Sequence, residues 1–207
     1  MTASISLARR AAFAGVLCVA VLAASLVVHA WPLWTGRPIL LRVVPIDPRD
    51  PFRGEYVWLT FREEHLILDS GTTVLPNRPG VRVRALGGWW KRDMPYPEVF
   101  RFRDRAMFVQ LEPQQDAGVV VSHAVSIADR PIPGATNLRG LVRYWDPYSG
   151  VSLDYGLDAF FVQEGRAGDI QRELRSDRPI YAEVMVTAGG RARVRRLLRA
   201  DGSVLAD

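Results

Sequence analysis

Carboxylate side chains are concentrated in a polar, proline-rich turn that follows a hydrophobic run. Hard cations require several oxygen ligands, which aspartate and glutamate supply. Arginines interrupt the cluster and raise the local positive potential. We therefore favour a turn in which the Asp side chains cap backbone N–H groups and pair with the arginines, and we predict neither a metal nor a cofactor for this chain. The residues concerned are Asp47, Arg49, Asp50, Arg53 and Glu55.

Histidine, a common zinc ligand, occurs only three times. His65 follows two glutamates, but no second histidine lies at ligand spacing, so the pattern does not support zinc. His123 alternates with Val121 and Val125 on the apolar face of a predicted strand. That position is typical of a core histidine with one satisfied nitrogen.

A serine–lysine dyad, as in membrane-tethered peptidases, would require Lys91, the only lysine. Such a base must be buried so that its pKa falls. Lys91 lies in a loop-like stretch rich in glycine, tryptophan and proline, where nothing predicts burial. We predict no catalytic residue, and a membrane-tethered serine hydrolase is kept as an alternative function.

The same stretch mixes aromatic and basic side chains. Such side chains favour the headgroup region of a membrane or the centre of a protein interface. The structural alternative is that both tryptophans fold back onto the domain. We predict a membrane or partner contact through Trp89, Trp90, Lys91, Arg92 and Tyr96.

An apolar segment precedes all of these residues. Arg9 and Arg10 lead into the run from Ala11 to Ala30, and residues 1–34 contain no acidic side chain. Twenty helical residues span about 30 Å, the thickness of a bilayer's hydrocarbon core. The run is longer than the usual signal-peptide core, although cleavage after Ala30 is the alternative. We predict a single-pass anchor (1–34) in the cytoplasmic (inner) membrane with its N-terminus inside, and an extracytoplasmic, periplasmic domain (35–207).

Composition agrees with a folded exported domain, since 48% of the 207 residues are hydrophobic and 24% are charged. Cys18, the only cysteine, lies in the apolar run, so the domain has no disulfide. The net charge of +5 includes two arginines of the anchor. Such a mild balance predicts no nucleic-acid partner.

Period-two alternation and turn residues predict many short strands. Glycines at 189 and 190 predict a hairpin, with the alternating Arg191, Arg193 and Arg195 on its exposed face. The fold class is mainly β: an antiparallel barrel-like or sandwich-like domain with one short helix. The main predicted strands are Ile39 to Ile46, Glu55 to Phe61, Leu138 to Trp145, Tyr181 to Thr187 and Arg191 to Leu198, and the helix is Arg166 to Ser176.

Residues 45–61, 104–112 and 155–165 resemble, in the same order, stretches of the GDYXXLXY family of bacterial membrane-anchored proteins. The signature reads Gly54, Glu55, Tyr56, Leu59 and Phe61 in this chain. Glu55 replaces the family's aspartate and Phe61 its last tyrosine. The resemblance implies a class of protein and a membrane location. It implies no reaction, because the family has no known biochemical function and no established catalytic residues.

The resemblance also implies a partner, since members tend to be encoded beside multi-pass membrane proteins. We expect the two signature stretches to meet, with Glu164 paired to Arg49 or Arg53. The predicted interaction cluster comprises Asp47, Arg49, Asp50, Arg53, Gly54, Glu55, Tyr56, Leu59, Phe61, Tyr155, Gly156, Phe161, Glu164 and Gly165.

These observations predict an accessory or scaffold protein that binds a multi-pass membrane protein. A different class of function is a binding module for a small envelope ligand or lipid, in which Tyr56 and Trp58 would line a cavity. A deep pocket beside these two rings would favour the module.

Overall fold

The computed structural model describes residues 7–44, 56–68, 81–85, 104–146, 150–176 and 178–207. Most elements in these ranges are antiparallel strands, which confirms the predicted mainly β fold. The elements are α1 (Leu7–Thr35), β1 (Arg37–Val44), β2 (Tyr56–Trp58), β3 (Thr60–Phe61), a 3₁₀ turn (Arg62–Glu64), β4 (His65–Leu68), β5 (Val81–Ala85), β6 (Ala106–Asp116), β7 (Val119–Ala128), β8 (Thr136–Asp146), β9 (Gly150–Asp154), β10 (Ala159–Phe161), α2 (Ala167–Leu174), β11 (Ile180–Val186), β12 (Ala192–Arg199) and β13 (Val204–Ala206).

Helix α1 contains the predicted apolar run and extends beyond it to Thr35. Its segment Arg9–Thr35 is long and apolar enough to cross a membrane, and the window that meets this test is wholly unburied within the protein. Phe13, for example, is 71% exposed. Such a helix fits a membrane anchor, and a signal sequence near the N-terminus would pass the same test of length and composition.

The helix joins the β domain through Gly36. The Gly36 N–H donates to the Pro32 carbonyl oxygen at 2.9 Å, which closes the last turn of α1. A Cβ atom at Gly36 would lie 2.5 Å from that oxygen and 2.8 Å from the Val186 nitrogen. Only glycine fits between the end of α1 and β11.

The first sheet has the strand order β13-β12-β11-β1-β3. Strand β11 lies between β1 and β12, and all seven of its residues are buried. The predicted hairpin is confirmed, with β11 and β12 joined by a turn in which the Thr187 N–H donates to the Arg191 carbonyl at 2.9 Å. Gly190 takes a φ of +79°, a conformation that favours glycine.

The other large assembly is a ring of six antiparallel strands, in the order β4-β5-β7-β6-β8-β9, with β9 pairing back to β4. The long strands β6 and β8 pair from Ala106 to Leu111. An irregularity between Gln110 and Leu111 leaves Val125 of β7 without an opposite residue. Strict alternation along β7 is therefore interrupted, unlike the predicted pattern.

Side chains from the sheet, the ring and α2 form a single apolar core. Arg42 of β1 holds both carboxylate oxygens of Asp116 at 3.0 Å, and the Tyr181 hydroxyl donates to the Asp116 carbonyl at 3.2 Å. These contacts tie the sheet to the end of β6. The predicted helix is confirmed as α2, which buries Ile170 and Leu174.

Candidate functional site

Strands β2 and β10 bring the two signature stretches together. They pair antiparallel, so that Tyr56 lies opposite Phe161 and Val57 opposite Phe160. Beyond the ladder, the Leu59 N–H donates to the Asp158 carbonyl at 2.8 Å. The expected meeting of the stretches is therefore made by main-chain hydrogen bonds.

One face of this strand pair belongs to the core. Val57, Leu59 and Phe61 are fully buried, and Phe160 is nearly so. Alternation along an extended strand puts residues two apart on one face, which explains why these three side chains are buried together. Burial of Leu59 and Phe61 gives these two signature positions a packing role.

The other face carries three aromatic rings. The ring centroid of Tyr56 lies 6.2 Å from that of Trp58 and 6.3 Å from that of Phe161. Trp58 is 38% exposed and Phe161 is 77% exposed. We call Tyr56, Trp58 and Phe161 the aromatic patch, because together they present apolar rings to the outside.

Turns at both ends of β10 require glycine. Gly156 has a φ of +66° and Gly165 a φ of +83°, both in the left-handed region. The Gly156 N–H also donates to the Asp154 carboxylate at 2.7 Å, as in an Asx turn. Glu164, between the strand and α2, is exposed.

Several predicted site residues lie outside the described residues. They are Asp47, Arg49, Asp50, Arg53, Gly54 and Glu55 of the carboxylate-rich turn, and Trp89, Trp90, Lys91, Arg92 and Tyr96 of the aromatic–basic stretch. The Glu164 ion pair and the contact through Trp89 and Trp90 therefore stay predictions.

A buried acid was not predicted from the sequence. The 3₁₀ turn directs Glu63 into the protein, where its side chain is fully buried. Its Oε1 atom lies 3.5 Å from Nδ1 of His123. Neither carboxylate oxygen of Glu63 receives a hydrogen bond from any residue that the structure describes.

Tyr155 of the second signature stretch closes this site. Its buried hydroxyl donates to the Glu63 carbonyl oxygen at 2.7 Å. A Cβ atom at Gly140 of β8 would lie 2.7 Å from the tyrosine ring, so glycine leaves space for the ring at that position. Tyr155 thus has a structural role in holding the turn that carries Glu63.

Burial dominates the proton equilibria of the site. Loss of hydration raises the pKa of Glu63 to about 7 and that of Glu64 to about 8. Burial and the nearby Arg62 lower the pKa of His123, and burial raises that of Tyr155 well above its ordinary value. Near neutral pH, burial therefore favours the neutral carboxyl of Glu63 and the neutral imidazole of His123.

The Glu63–His123 pair can therefore hold or exchange one proton near neutral pH. It offers too few ligands for a metal, and the described part of the chain contains no group of three His, Cys, Asp or Glu residues arranged around an ion. The alternation that placed His123 on an inner face was the one sequence signal for this pair. Nothing local indicated that Glu63 would lie opposite it.

A groove lies away from Tyr56 and Trp58, the two rings that were expected to line a cavity. This open groove of about 470 Å³ lies between the end of α1 and the β domain, and neither ring lines it. We call it the basic groove, because four arginines line it. The lining residues are Val28, His29, Pro32, Arg139, Gly140, Leu141, Arg143, Asp154, Tyr155, Gly156, Arg191, Ala192 and Arg193.

Comparison with known proteins agrees with the resemblance read from the signature. The family model described as GDYXXLXY protein matches residues 18–197. The chain belongs to the GDYXXLXY family. It matches no curated protein and no solved structure. In this GDYXXLXY protein, the two signature stretches pair as β2 and β10. One face of the pair packs into the core and the other carries the aromatic patch.

Proposed function

We propose that this GDYXXLXY protein is a single-pass accessory protein of the cytoplasmic membrane. Helix α1 stays in the bilayer, the N-terminus lies in the cytoplasm, and residues 35–207 form a periplasmic domain. The domain binds a multi-pass membrane protein and acts by binding, without catalysis of its own.

The observation that carries this proposal is the uncovered apolar surface of α1. Leu22 and Leu26 are each about 70% exposed, and no residue of the apolar window is buried by the described part of the chain. Exposure of such a surface to water is unfavourable by about 25 cal/mol per Å² of apolar area. Lipid tails or apolar helices of a partner would cover it.

The ends of α1 support the orientation. Arg9 and Arg10 lie at its N-terminal end, where basic residues favour the cytoplasmic side. Trp31 and Trp34, 53% and 69% exposed, lie at its other end. Tryptophans there are typical of the aromatic belt at a membrane surface.

The aromatic patch supports a protein partner. Phe161 and Trp58 expose large rings from a hydrogen-bonded strand pair, and aromatic residues are enriched at the centres of interfaces. When a partner binds, aromatic side chains lose a large exposed area, and they lose little conformational entropy because they have few rotatable bonds. The patch and α1 together would give the partner one contact outside the membrane and one within it.

Crosslinking and pull-down from solubilised membranes test the proposal. A C-terminally tagged full-length chain is compared with a Trp58→Ser/Phe161→Ser double variant. The matched control is Val120→Ser/Val204→Ser, which removes exposed apolar side chains from β7 and β13. A Trp89→Ser/Trp90→Ser variant examines the predicted contact outside the described residues.

We expect the wild-type chain and the control to recover one defined multi-pass protein, and the Trp58/Phe161 variant to lose most of it. Recovery by every variant would place the contact on α1 alone. Failure of the wild-type chain to recover any specific membrane protein would contradict the accessory role.

A further inference from the structure

The basic groove carries an excess of positive charge that the proposed function does not use. Four arginines line it against one aspartate, which leaves three formal positive charges with His29 neutral. Arg139 and Arg143 lie on the outer face of β8, Arg191 lies in the turn before β12, and Arg193 lies in the first part of that strand. Such a concentration in one concave site favours an anionic ligand.

Two of the arginines are held by the protein itself. The Arg143 guanidinium donates to Oδ2 of Asp154 through Nε at 2.9 Å and Nη2 at 2.5 Å, and Arg193 donates to the Gly156 carbonyl at 3.1 Å. Among the residues that the structure describes, the guanidinium groups of Arg139 and Arg191 have no hydrogen-bond or ion-pair partner. These two groups are available to a ligand.

The backbone holds both available arginines in fixed positions. The Arg139 N–H donates to the Gly190 carbonyl at 2.8 Å, so the tip of the β11–β12 hairpin is bonded to β8. The Arg191 N–H donates to the Thr187 hydroxyl at 3.1 Å. A Cβ atom at Gly190 would lie 3.0 Å from the Arg139 nitrogen, which leaves little room for any other residue at this contact.

The opposite wall of the groove is the last part of α1. Val28, His29 and Pro32 line it, and the exposed Trp31 and Trp34 lie on the same stretch of helix. Tryptophans at a helix end lie at headgroup level in a bilayer. The groove therefore opens at the depth of the lipid phosphates.

The charge pattern also selects the type of headgroup. Asp154 is the only carboxylate among the described lining residues, and both of its oxygens are engaged, Oδ2 by Arg143 and Oδ1 by the Gly156 N–H. A choline or ethanolamine group would find no available anion there. A headgroup with a net negative charge matches the site.

We propose that this groove binds the phosphate headgroup of an anionic phospholipid, with Arg139 and Arg191 as its principal ligands and the acyl chains along α1. The inference rests on the membrane anchoring proposed above and is independent of any protein partner. Arginine is suited to this role because its planar guanidinium binds phosphate through two parallel hydrogen bonds.

Native mass spectrometry of the full-length chain in mild detergent tests the assignment. Phosphatidylglycerol and phosphatidylcholine with identical acyl chains are the probes, and inorganic phosphate is the competitor. Arg139→Gln/Arg191→Gln is compared with Arg130→Gln/Arg172→Gln, which removes the same charge from exposed arginines that do not line the groove.

We expect one phosphatidylglycerol molecule to bind at least about tenfold more tightly than phosphatidylcholine. The groove variant should weaken this binding by about ten- to thirtyfold, the effect of two surface arginines on an anionic lipid, while the control variant retains it. Thermal unfolding followed by circular dichroism checks the fold. If the double variant does not fold, Arg191→Gln alone, at an exposed turn position, should weaken binding by at least about threefold.

Equal binding of the two lipids, or an equal loss in the control variant, would overturn the proposal. Displacement of phosphatidylglycerol by an equal concentration of inorganic phosphate would identify a site for a free anion and overturn the lipid assignment. Failure of the anchoring itself is distinguishable, because a cleaved chain would have a shorter intact mass and would need no detergent. A missing protein partner cannot affect an assay that contains only chain and lipid.

Discussion

Glu63 and His123 form the least expected contact in the molecule, an acid and an imidazole 3.5 Å apart in the interior. Burial raises the pKa of Glu63 from 4.5 to about 7. Between these pH values the folded protein keeps a proton that the unfolded chain has lost. The stabilisation from this carboxyl is therefore complete below about pH 4.5 and is lost as the pH rises through about 7.

Replacing Glu63 by glutamine should flatten this pH dependence. The shift from 4.5 to about 7 corresponds to about 3 kcal/mol of unfolding free energy between pH 4.5 and pH 8.5. The Glu63→Gln variant should lose that contribution, because an amide does not ionise. Urea unfolding of the full chain in non-ionic detergent, followed by far-UV circular dichroism, measures it.

Glu112→Gln is the matched control, since Glu112 is exposed and belongs to none of the predicted ion pairs. Its unfolding free energy should follow that of the wild-type chain at every pH. The Glu63 carboxylate is also one of the charges that raise the pKa of Glu64, so its removal reduces the pH dependence from Glu64 in the same direction. Parallel pH profiles for wild type and Glu63→Gln would show that Glu63 is hydrated and ionised in the folded protein.

At the scale of elements, the junction between α1 and β1 determines how the anchor meets the domain. Gly36 lies against backbone atoms of Pro32, Met185 and Val186, all closer than 3.0 Å to the position of an added Cβ. Backbone atoms of a helix end and a buried central strand cannot move aside. Any side chain at residue 36 must displace α1 from β11.

Gly36→Ala should therefore destabilise the domain by about 2 kcal/mol, within the range for overpacked sites. Gly189→Ala is the control, because no atom lies within 4 Å of its Cβ position. The midpoint of urea unfolding in detergent reports the difference. Equal midpoints for the two variants would mean that the junction is loosely packed.

Local signals predicted several elements well. The apolar run predicted α1, the glycines at 189 and 190 predicted the β11–β12 hairpin, and the pattern before residue 176 predicted α2. Each depends on residues close in the sequence. Such interactions specify helices and tight turns without help from distant parts of the chain.

Bulges were not predictable in the same way. A register shift at Glu183 lets both Arg195 and Arg196 reach its carboxylate, with nitrogen–oxygen distances of 3.3 and 2.7 Å. Arg195 is exposed, as alternation predicted, with 56% of its side-chain surface accessible, and its guanidinium also pairs with the buried Glu183. A single extra residue on a strand reverses which side chains face inward beyond it.

For the whole molecule, the proposed retention of α1 would combine the membrane contact, the basic groove and the aromatic patch in one chain. Helix α1 supplies one wall of the groove, and the β domain supplies the arginines. The groove therefore exists only while α1 remains attached. Cleavage after Ala30 would remove Val28 and His29 from its wall.

Cysteine labelling tests the orientation of the chain in the membrane. In a Cys18→Ser background, Ala200→Cys lies in the exposed turn between β12 and β13. A membrane-impermeant maleimide should label it in spheroplasts, whereas Ser4→Cys, on the N-terminal side of α1, should react only after the membrane is opened. The opposite pattern would place the β domain in the cytoplasm.

The sequence by itself determined the apolar helix, the mainly β fold, the family and the hairpins, because each depends on local periodicity or on a continuous motif. Tertiary structure alone decided that Glu63 meets His123, that Tyr155 holds the Glu63 turn, and that four arginines from β8 and the β11–β12 hairpin face the end of α1. These contacts join residues tens of positions apart. Strand order and register bring such residues together, and no local pattern in the chain encodes which strands become neighbours.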